Sequence, residues 1–528
     1  MIEIEAPSRR ELLTAIGKAG GAIALYQAMT ALGHAAPTQF SGPPKLSGAK
    51  PGASVLILGS GLAGMVAAYE MMKAGYKVQI LEYQDRPGGR NYTVRGGDVI
   101  KEVGGAVQKV GFAPGNYLNP GPWRIPYHHQ ALLHYCTEFG VQLEPFVQLN
   151  HAGYVHSDKA YGGKPQRYAE AGTDFKGHVA ELLAKATNKG ALDDTITPED
   201  KAKLLEAMRG WGILDKNMEY VSSLRTSGSR GFDRPPGGGV GGAPTPSKVA
   251  GLSDVLDPRV WGTMAFFFNT TMQQSMFQPV GGIDMIGKAF ARKLAGKIML
   301  NSKVTKISQD DGGVTVDFEN TATGAKSVAK ADFCVCTIPL PILSQIDVQV
   351  SDAKKAAIKG LPYHSSCKVG LEMKRRFWEQ DEQIYGGHSF TTGSISQLSY
   401  PSSGFFKPGP AVLLGAYAGG AAAYTFAGMT PAERIEEALK QGSVFHKQYR
   451  AEFSNGVAVA WSRLPWITAC ASSWAEDIRQ QHYQNLVSVD GRIVLAGEHC
   501  SYIGAWMEAA LLSSIDAITR LHQRALAA

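Results

Sequence analysis

Between Ser54 and Glu82 the chain passes through an apolar run, a glycine turn, a stretch of helix formers and a second apolar run. Few folds accommodate that order. Ser54-Val55-Leu56-Ile57-Leu58 is continuous and apolar, as a strand buried on both faces must be. Gly59-Ser60-Gly61-Leu62-Ala63-Gly64 follows, then Met65 to Ala74 with Gly75 as a helix C-cap, then Tyr76 to Leu81. The second strand ends in an acid, Glu82. In such a unit Gly59 makes the turn, Gly61 admits a pyrophosphate to the backbone, and Gly64 lets helix and strand approach. Leu62 and Ala63 belong to the same phosphate turn, where the helix N-terminus faces the anions. Glu82 can accept hydrogen bonds from ribose hydroxyls and would repel a 2′-phosphate. The pattern predicts a Rossmann-like dinucleotide site and leaves NAD against FAD to the rest of the sequence.

Directly after Glu82 stands Arg86-Pro87-Gly88-Gly89-Arg90-Asn91-Tyr92-Thr93, a turn offering backbone donors and a guanidinium to a diphosphate. Glu102-Val103-Gly104-Gly105-Ala106 comes next. Near the other end, Gly491-Arg492-Ile493-Val494-Leu495-Ala496-Gly497-Glu498-His499 reads as a strand ending in an acid, and Gly504-Ala505-Trp506-Met507-Glu508 opens a last helix. Together these segments resemble the flavin monoamine oxidase family, in its bacterial L-amino-acid oxidase branch. The resemblance covers roughly residues 50–150 and 270–528 and is poorest between them. It implies FAD, bound without a covalent link, because the closing segment at Glu498 supplies a flavin half that an NAD enzyme does not need.

In that family Gly89 and Arg90 meet the diphosphate, the Val304 backbone contacts adenine, and Glu498 after Gly497 holds the ribityl chain. Gly121, Pro122, Trp123 and Arg124, with Trp461, Ala505 and Trp506, border the flavin. The last helix turns its positive end to the pyrimidine ring, which favours negative charge on the reduced flavin. Gln278 to Asp284 and Val304 to Ile307 resemble the return into the FAD domain, and Thr337-Ile338-Pro339-Leu340-Pro341 the crossing into the substrate domain. The implied fold is α/β. A discontinuous Rossmann-like FAD-binding domain (50–120, 267–340 and 460–528) joins a mixed-sheet substrate-binding domain (341–459) and a helical domain (121–266).

The branch is decided by what would meet the substrate. Gly121-Pro122-Trp123-Arg124-Ile125-Pro126 resembles the segment whose arginine pairs with a substrate carboxylate in L-amino-acid oxidases. Tyr417 matches a strand tyrosine whose hydroxyl joins it. Lys368 matches a lysine that holds a water against flavin N5, where its charge also favours superoxide as it forms. Trp461 and Trp506 resemble the two aromatics of the cavity. Cys470 falls where monoamine oxidases link cysteine to flavin, but Ala471 replaces the cage tyrosine that follows. Ala471 thus leaves room for a bulky side chain, and Ala471, Ala505 and Trp506 join Arg124 and Tyr417 as the expected substrate contacts.

The reading is oxidative deamination of L-amino acids: hydride passes from Cα to flavin N5, and O2 then yields H2O2 with a 2-oxo acid and ammonia. The catalytic set is Lys368, Arg124, Tyr417 and Trp506, with no base identified. The alternatives are an oxidase or dehydrogenase of mono-, poly- or alkaloid amines, an amino-acid 2-monooxygenase, or a protein that keeps the fold without the activity.

Composition narrows the partners. The formal charge of +7 comes without a basic run interleaved with aromatics, so no nucleic-acid site is expected. No stretch reaches the roughly 20 apolar residues of a membrane span. The six cysteines show no metal spacing. Cys334 and Cys336 are read as facing opposite sides of one strand, a poor chelate and a poor disulfide. The sequence leaves a homodimer open. Ser8-Arg9-Arg10-Glu11-Leu12-Leu13 and the Ala/Gly-rich stretch to Ala36 resemble a twin-arginine signal, predicting a periplasmic or secreted protein. Lys18 supports the alternative, an amphipathic helix on a cytoplasmic protein. Between 151 and 266, helices are predicted over Asp174–Ala186 and Pro198–Gly210, and a Gly/Pro-rich loop over 226–247.

Overall fold

The computed structural model describes residues 40–266, 268–272 and 276–527. The signal-like stretch at 1–36 lies outside them. Strands β1 (Ser54–Leu58), β2 (Lys77–Leu81), β3 (Ile298–Met299), β4 (Phe333–Cys336) and β5 (Ile493–Leu495) pair in parallel, in the spatial order β3-β2-β1-β4-β5. One sheet is thus assembled from distant parts of the chain.

Helices α1 (Leu62–Lys73), α2 (Gln130–Glu138) and α3 (Met507–Ala527) cover one face. An antiparallel sheet built on Ser302–Asp310, Gly313–Asn320 and Lys326–Ala331 covers the other. Burial on both faces is what a continuous apolar strand requires. Along β1, Val55 and Ile57 enter the helical core, while Leu56 and Leu58 enter the opposite one.

The same alternation corrects the reading of the paired cysteines. Phe333 and Val335 face the helices, whereas Cys334 and Cys336 lie together in the other core. Residues two apart on a strand share a face, so opposite faces were the wrong expectation. All six cysteines are free thiols.

A second, seven-stranded sheet has the order Gln166–Arg167, Tyr154–His156, His388–Thr391, Gln397–Ser399, Ala411–Gly419, Ser366–Met373 and Phe453–Ala460. It is mixed, because Tyr154–His156 and His388–Thr391 run parallel. Its first two strands come from within 121–266, so that interval is not helical throughout. Gly162 and Gly163, both at positive φ, turn the chain back between them. The helices of this interval run over Tyr168–Asn188 and Pro198–Trp211, longer than predicted.

The Gly/Pro-rich stretch is also more ordered than a loop. Leu224–Arg230 is a helix capped by the Ser223 hydroxyl, and Phe232–Arg234 pairs with Thr245–Pro246. Among the described residues, no helix is long and apolar enough to cross a membrane.

Candidate active site and cofactor cleft

A cavity of about 1170 Å³ is lined from Gly59 and Glu82, past Arg90 and Val304, to Lys368, Tyr417, Trp461 and Trp506. The first parallel sheet supplies one end and the mixed sheet the other. At the sheet end the glycine turn has two distinct constraints. A Cβ on Gly64 would stand 2.0 Å from the Gly59 carbonyl oxygen, so close packing of α1 excludes it. A Cβ on Gly61 would meet no protein atom within 4 Å, and Gly61 borders the cavity. That space is left for a ligand.

Glu82, at the end of β2, is buried but not free to turn. Its Oε2 accepts from the Ser60 backbone N–H and hydroxyl, both at 2.7 Å, and its Oε1 from the Gln84 N–H at 2.9 Å. The carboxylate is therefore fixed beside the glycine turn, with lone pairs left for ribose hydroxyls.

In the middle of the cleft Arg90 donates to Glu498 Oε1 at 2.9 Å and to the Cys470 carbonyl at 2.8 Å. Glu498 also accepts from the Ser472 N–H at 3.0 Å and the Ser472 hydroxyl at 2.8 Å. Burial pushes this carboxyl up, but Arg90, His499 and Ser472 outweigh it and hold its pKa below the ordinary value. Ser365, also on the wall, is buried with a hydroxyl that has no partner among the described residues. For Cys470, burial raises the thiol, yet His364 and Ser366 bring it below its ordinary value.

At the far end Lys368 is buried and donates to the Gly121 carbonyl oxygen, with the Asn119 carbonyl at 3.5 Å. Its ammonium lies 4.3 Å from the Tyr417 ring centre. Burial, reinforced by Arg124, brings its pKa down to about 7 despite Cys470. The Trp461 indole donates to the Pro120 carbonyl at 2.8 Å, so Lys368 and Trp461 together fix the turn before Arg124.

Arg124 is itself buried, 9% exposed, and no carboxylate pairs with it among the described residues. Its Nε has no partner among the described residues, and one terminal nitrogen lies 3.2 Å from the Met272 sulfur. Burial lowers its pKa to about 10, with Tyr417 opposing. A guanidinium taken from water without an anion is costly, which marks a place for an anionic group.

Most of the residues singled out in the sequence meet on this one wall. Gly59, Gly61, Leu62, Ala63, Glu82, Gly89, Arg90, Gly121, Pro122 and Val304 line it, as do Lys368, Tyr417, Trp461, Ala471, Gly497, Glu498, Ala505 and Trp506. Three do not. Gly64 lies inside α1, and Trp123 and Arg124 stand behind the wall beside Tyr417. The residues that sequence reasoning missed are mainly hydroxyls: Ser60 on Glu82, Ser472 on Glu498, and Ser365 and Ser366 beside Cys470. A serine next to a motif residue carries no signal of its partner.

The residues fit FAD. A phosphate turn with space at Gly61, a ribose acid, a second acid in the middle of the cleft and an aromatic far end call for an extended dinucleotide. That arrangement defines an oxidoreductase built around a dinucleotide cofactor. Residues 62–521 match the flavin containing amine oxidoreductases, and the chain belongs to that family. It is 27% identical over 490 residues to an L-amino-acid oxidase of Siganus canaliculatus, covering 89% of this chain and 86% of that one. It is also 27% identical over 495 residues to the flavin-dependent L-tryptophan oxidase RebO of Lentzea aerocolonigenes, covering 88% and 97%. Among solved structures, cyclohexylamine oxidase from Brevibacterium oxydans superposes with a TM-score of 0.59 at 17% identity, over 90% of this chain and 99% of that one.

Proposed function

We propose that this flavoenzyme oxidises L-amino acids rather than simple amines. The observation that carries the reading is Arg124, a buried guanidinium beside Tyr417 with no carboxylate partner among the described residues. Arg124 is off the cavity lining, so a substrate carboxylate reaching past Tyr417 would complete it, and the Tyr417 hydroxyl would help fix that carboxylate's orientation. FAD, when bound, supplies the hydride acceptor and passes the electrons to O2, giving H2O2 alongside an imino acid that hydrolyses to a 2-oxo acid and ammonia. Hydride loss needs the neutral amine rather than the ammonium. Ala471 on the wall leaves space where a larger residue would narrow the cleft. The relatives named as L-amino-acid oxidases support the reading.

The test is an assay of peroxide, ammonia and 2-oxo acid across the L-amino acids and their decarboxylated amines. Turnover of the amines alone, or release of an amide and CO2, overturns it. Replacing Arg124 with Met is expected to raise KM for amino acids about 100-fold, the cost of leaving a buried carboxylate unpaired, while bound flavin stays unchanged.

A further inference from the structure

Glu508 is the second residue of α3, completely buried, and its carboxylate does not face the cavity. It crosses instead to another helix. Oε1 accepts from the Ala131 N–H at 3.0 Å and Oε2 from the Leu132 N–H at 2.8 Å. These are free donors of the first turn of α2, whose own N-cap, His129, gives no side-chain bond and whose first turn has no acid. A carboxylate from a different element thus caps α2.

What the cap joins is the significant point. On one side, Glu508 stands two residues after Trp506, which lines the cavity with Ala505 and Met507, and Ala505 is held at φ 65°. On the other, α2 follows the segment Gly121–Pro126 that carries Arg124 and accepts the Lys368 hydrogen bond. The His129 N–H returns to the Pro126 carbonyl at 3.1 Å, and the His129 ring meets the Trp506 ring edge-on at 5.0 Å. The Trp506 wall and the Arg124 segment are therefore tied together behind the site by one carboxylate and one ring contact.

We propose that Glu508 is a positioning residue: it fixes the Arg124 segment against the Trp506 wall and so sets the width of the carboxylate pocket. The role rests on the reading of Arg124 as the carboxylate partner. Loss of one acceptor leaves a buried N–H of α2 without its partner and lets the two walls separate. Arg124 then meets a substrate carboxylate in poorer geometry, although it remains present and charged.

The experiment compares holoenzyme of wild type, R124M, E508Q and E508D. It measures FAD per chain, Tm, KM and kcat for an L-amino acid, and the Kd of benzoate read from the flavin spectrum. Benzoate offers a carboxylate and no amine to oxidise. E508Q is expected to keep its flavin, bind benzoate about tenfold more weakly and show a matching rise in KM, with kcat changed less than about threefold. E508D, which keeps both acceptor oxygens, is expected to recover part of the affinity, and it is the variant read if E508Q does not fold. A lowered Tm with unchanged KM and benzoate affinity would make Glu508 a helix cap only. R124M weakened while E508Q and E508D match wild type overturns the role of Glu508 alone. R124M that binds benzoate as wild type does overturns the proposed function, and the role of Glu508 with it.

Discussion

Lys368 donates to the carbonyls of a turn rather than to an acid, so its charge is not neutralised where it stands. Burial, with Arg124 adding repulsion, sets its pKa at about 7, and the ammonium exists on the acid side of that value. Beside the flavin end of the cleft such a charge favours electron transfer to oxygen, because negative charge builds on O2 as it is reduced. On the proposed oxidase reading, the reaction of the reduced enzyme with O2 is therefore expected to slow as pH rises through about 7. Replacing Lys368 with Met should make it slow, on the order of tenfold or more, and flat with pH. Stopped-flow oxidation across pH 6 to 9 checks this, and a mutant that keeps the wild-type profile removes Lys368 from the step. The same shift has a sign for stability. The unfolded side chain keeps its proton to the ordinary value of 10.5, so this residue makes the fold more stable as pH rises from about 7 towards 10.5. At this scale, legibility depended on chemistry. Glu82, Arg90 and Glu498 were readable because they stand in fixed register with a glycine turn or a strand end. Ser60, Ser472 and Ser366 were not, since a hydroxyl finds its partner only when the chain has folded.

The β1–turn–α1 unit separates packing from binding within six residues. At Gly64 an added methyl meets the Gly59 carbonyl oxygen at 2.0 Å, inside any tolerable contact; at Gly61 it meets only cavity. Gly64→Ala is therefore expected to destabilise the fold itself, by the 1–3 kcal/mol or more typical of overpacking, roughly. Gly61→Ala should lose FAD, since its methyl occupies the space left for the pyrophosphate, while its apoprotein melts as the wild-type apoprotein does. FAD content and thermal melting of the two apoproteins distinguish them. Equal melting temperatures would show that α1 yields at Gly64 and that the packing argument is wrong. This unit was legible because its signals are local: a continuous apolar run, glycines at fixed spacing, a terminal acid. In the interval 151–266 the two longer helices were legible and the strands were not. Tyr154–His156 and Gln166–Arg167 are too short to show a period; the first pairs with the edge of His388–Thr391 and the second with the first. The C-x-C run was legible as a strand, and the error there lay in the geometry of alternate residues.

At the scale of the whole molecule the cleft is where the two sheets meet. Glu82 and Gly59 belong to the parallel sheet and its turn, Lys368 and Tyr417 to the mixed sheet, and Arg90 with Glu498 bridges the middle. A ligand filling about 1170 Å³ between them contacts elements of both sheets, and it contacts them together only in the folded state. Binding of that kind adds stability by mass action. At a concentration about 1,000-fold above Kd the gain is about 4 kcal/mol, which for a chain of this length corresponds to roughly 4 °C in Tm. Removing FAD is thus expected to lower Tm by that amount, and returning it should restore the difference in a concentration-dependent way. The loss should also be uneven. Protection of amides at the cleft, around Gly61, Gly121 and Ser472, should fall more than protection within β1 and the later turns of α3, around Ala517, Ile518 and Leu521, which lie in the core away from the cavity lining. Calorimetry and hydrogen exchange on holo and apo protein test both parts. An apoprotein that melts with the holoenzyme, or loses protection uniformly, would mean that the two sheets hold each other without the cofactor.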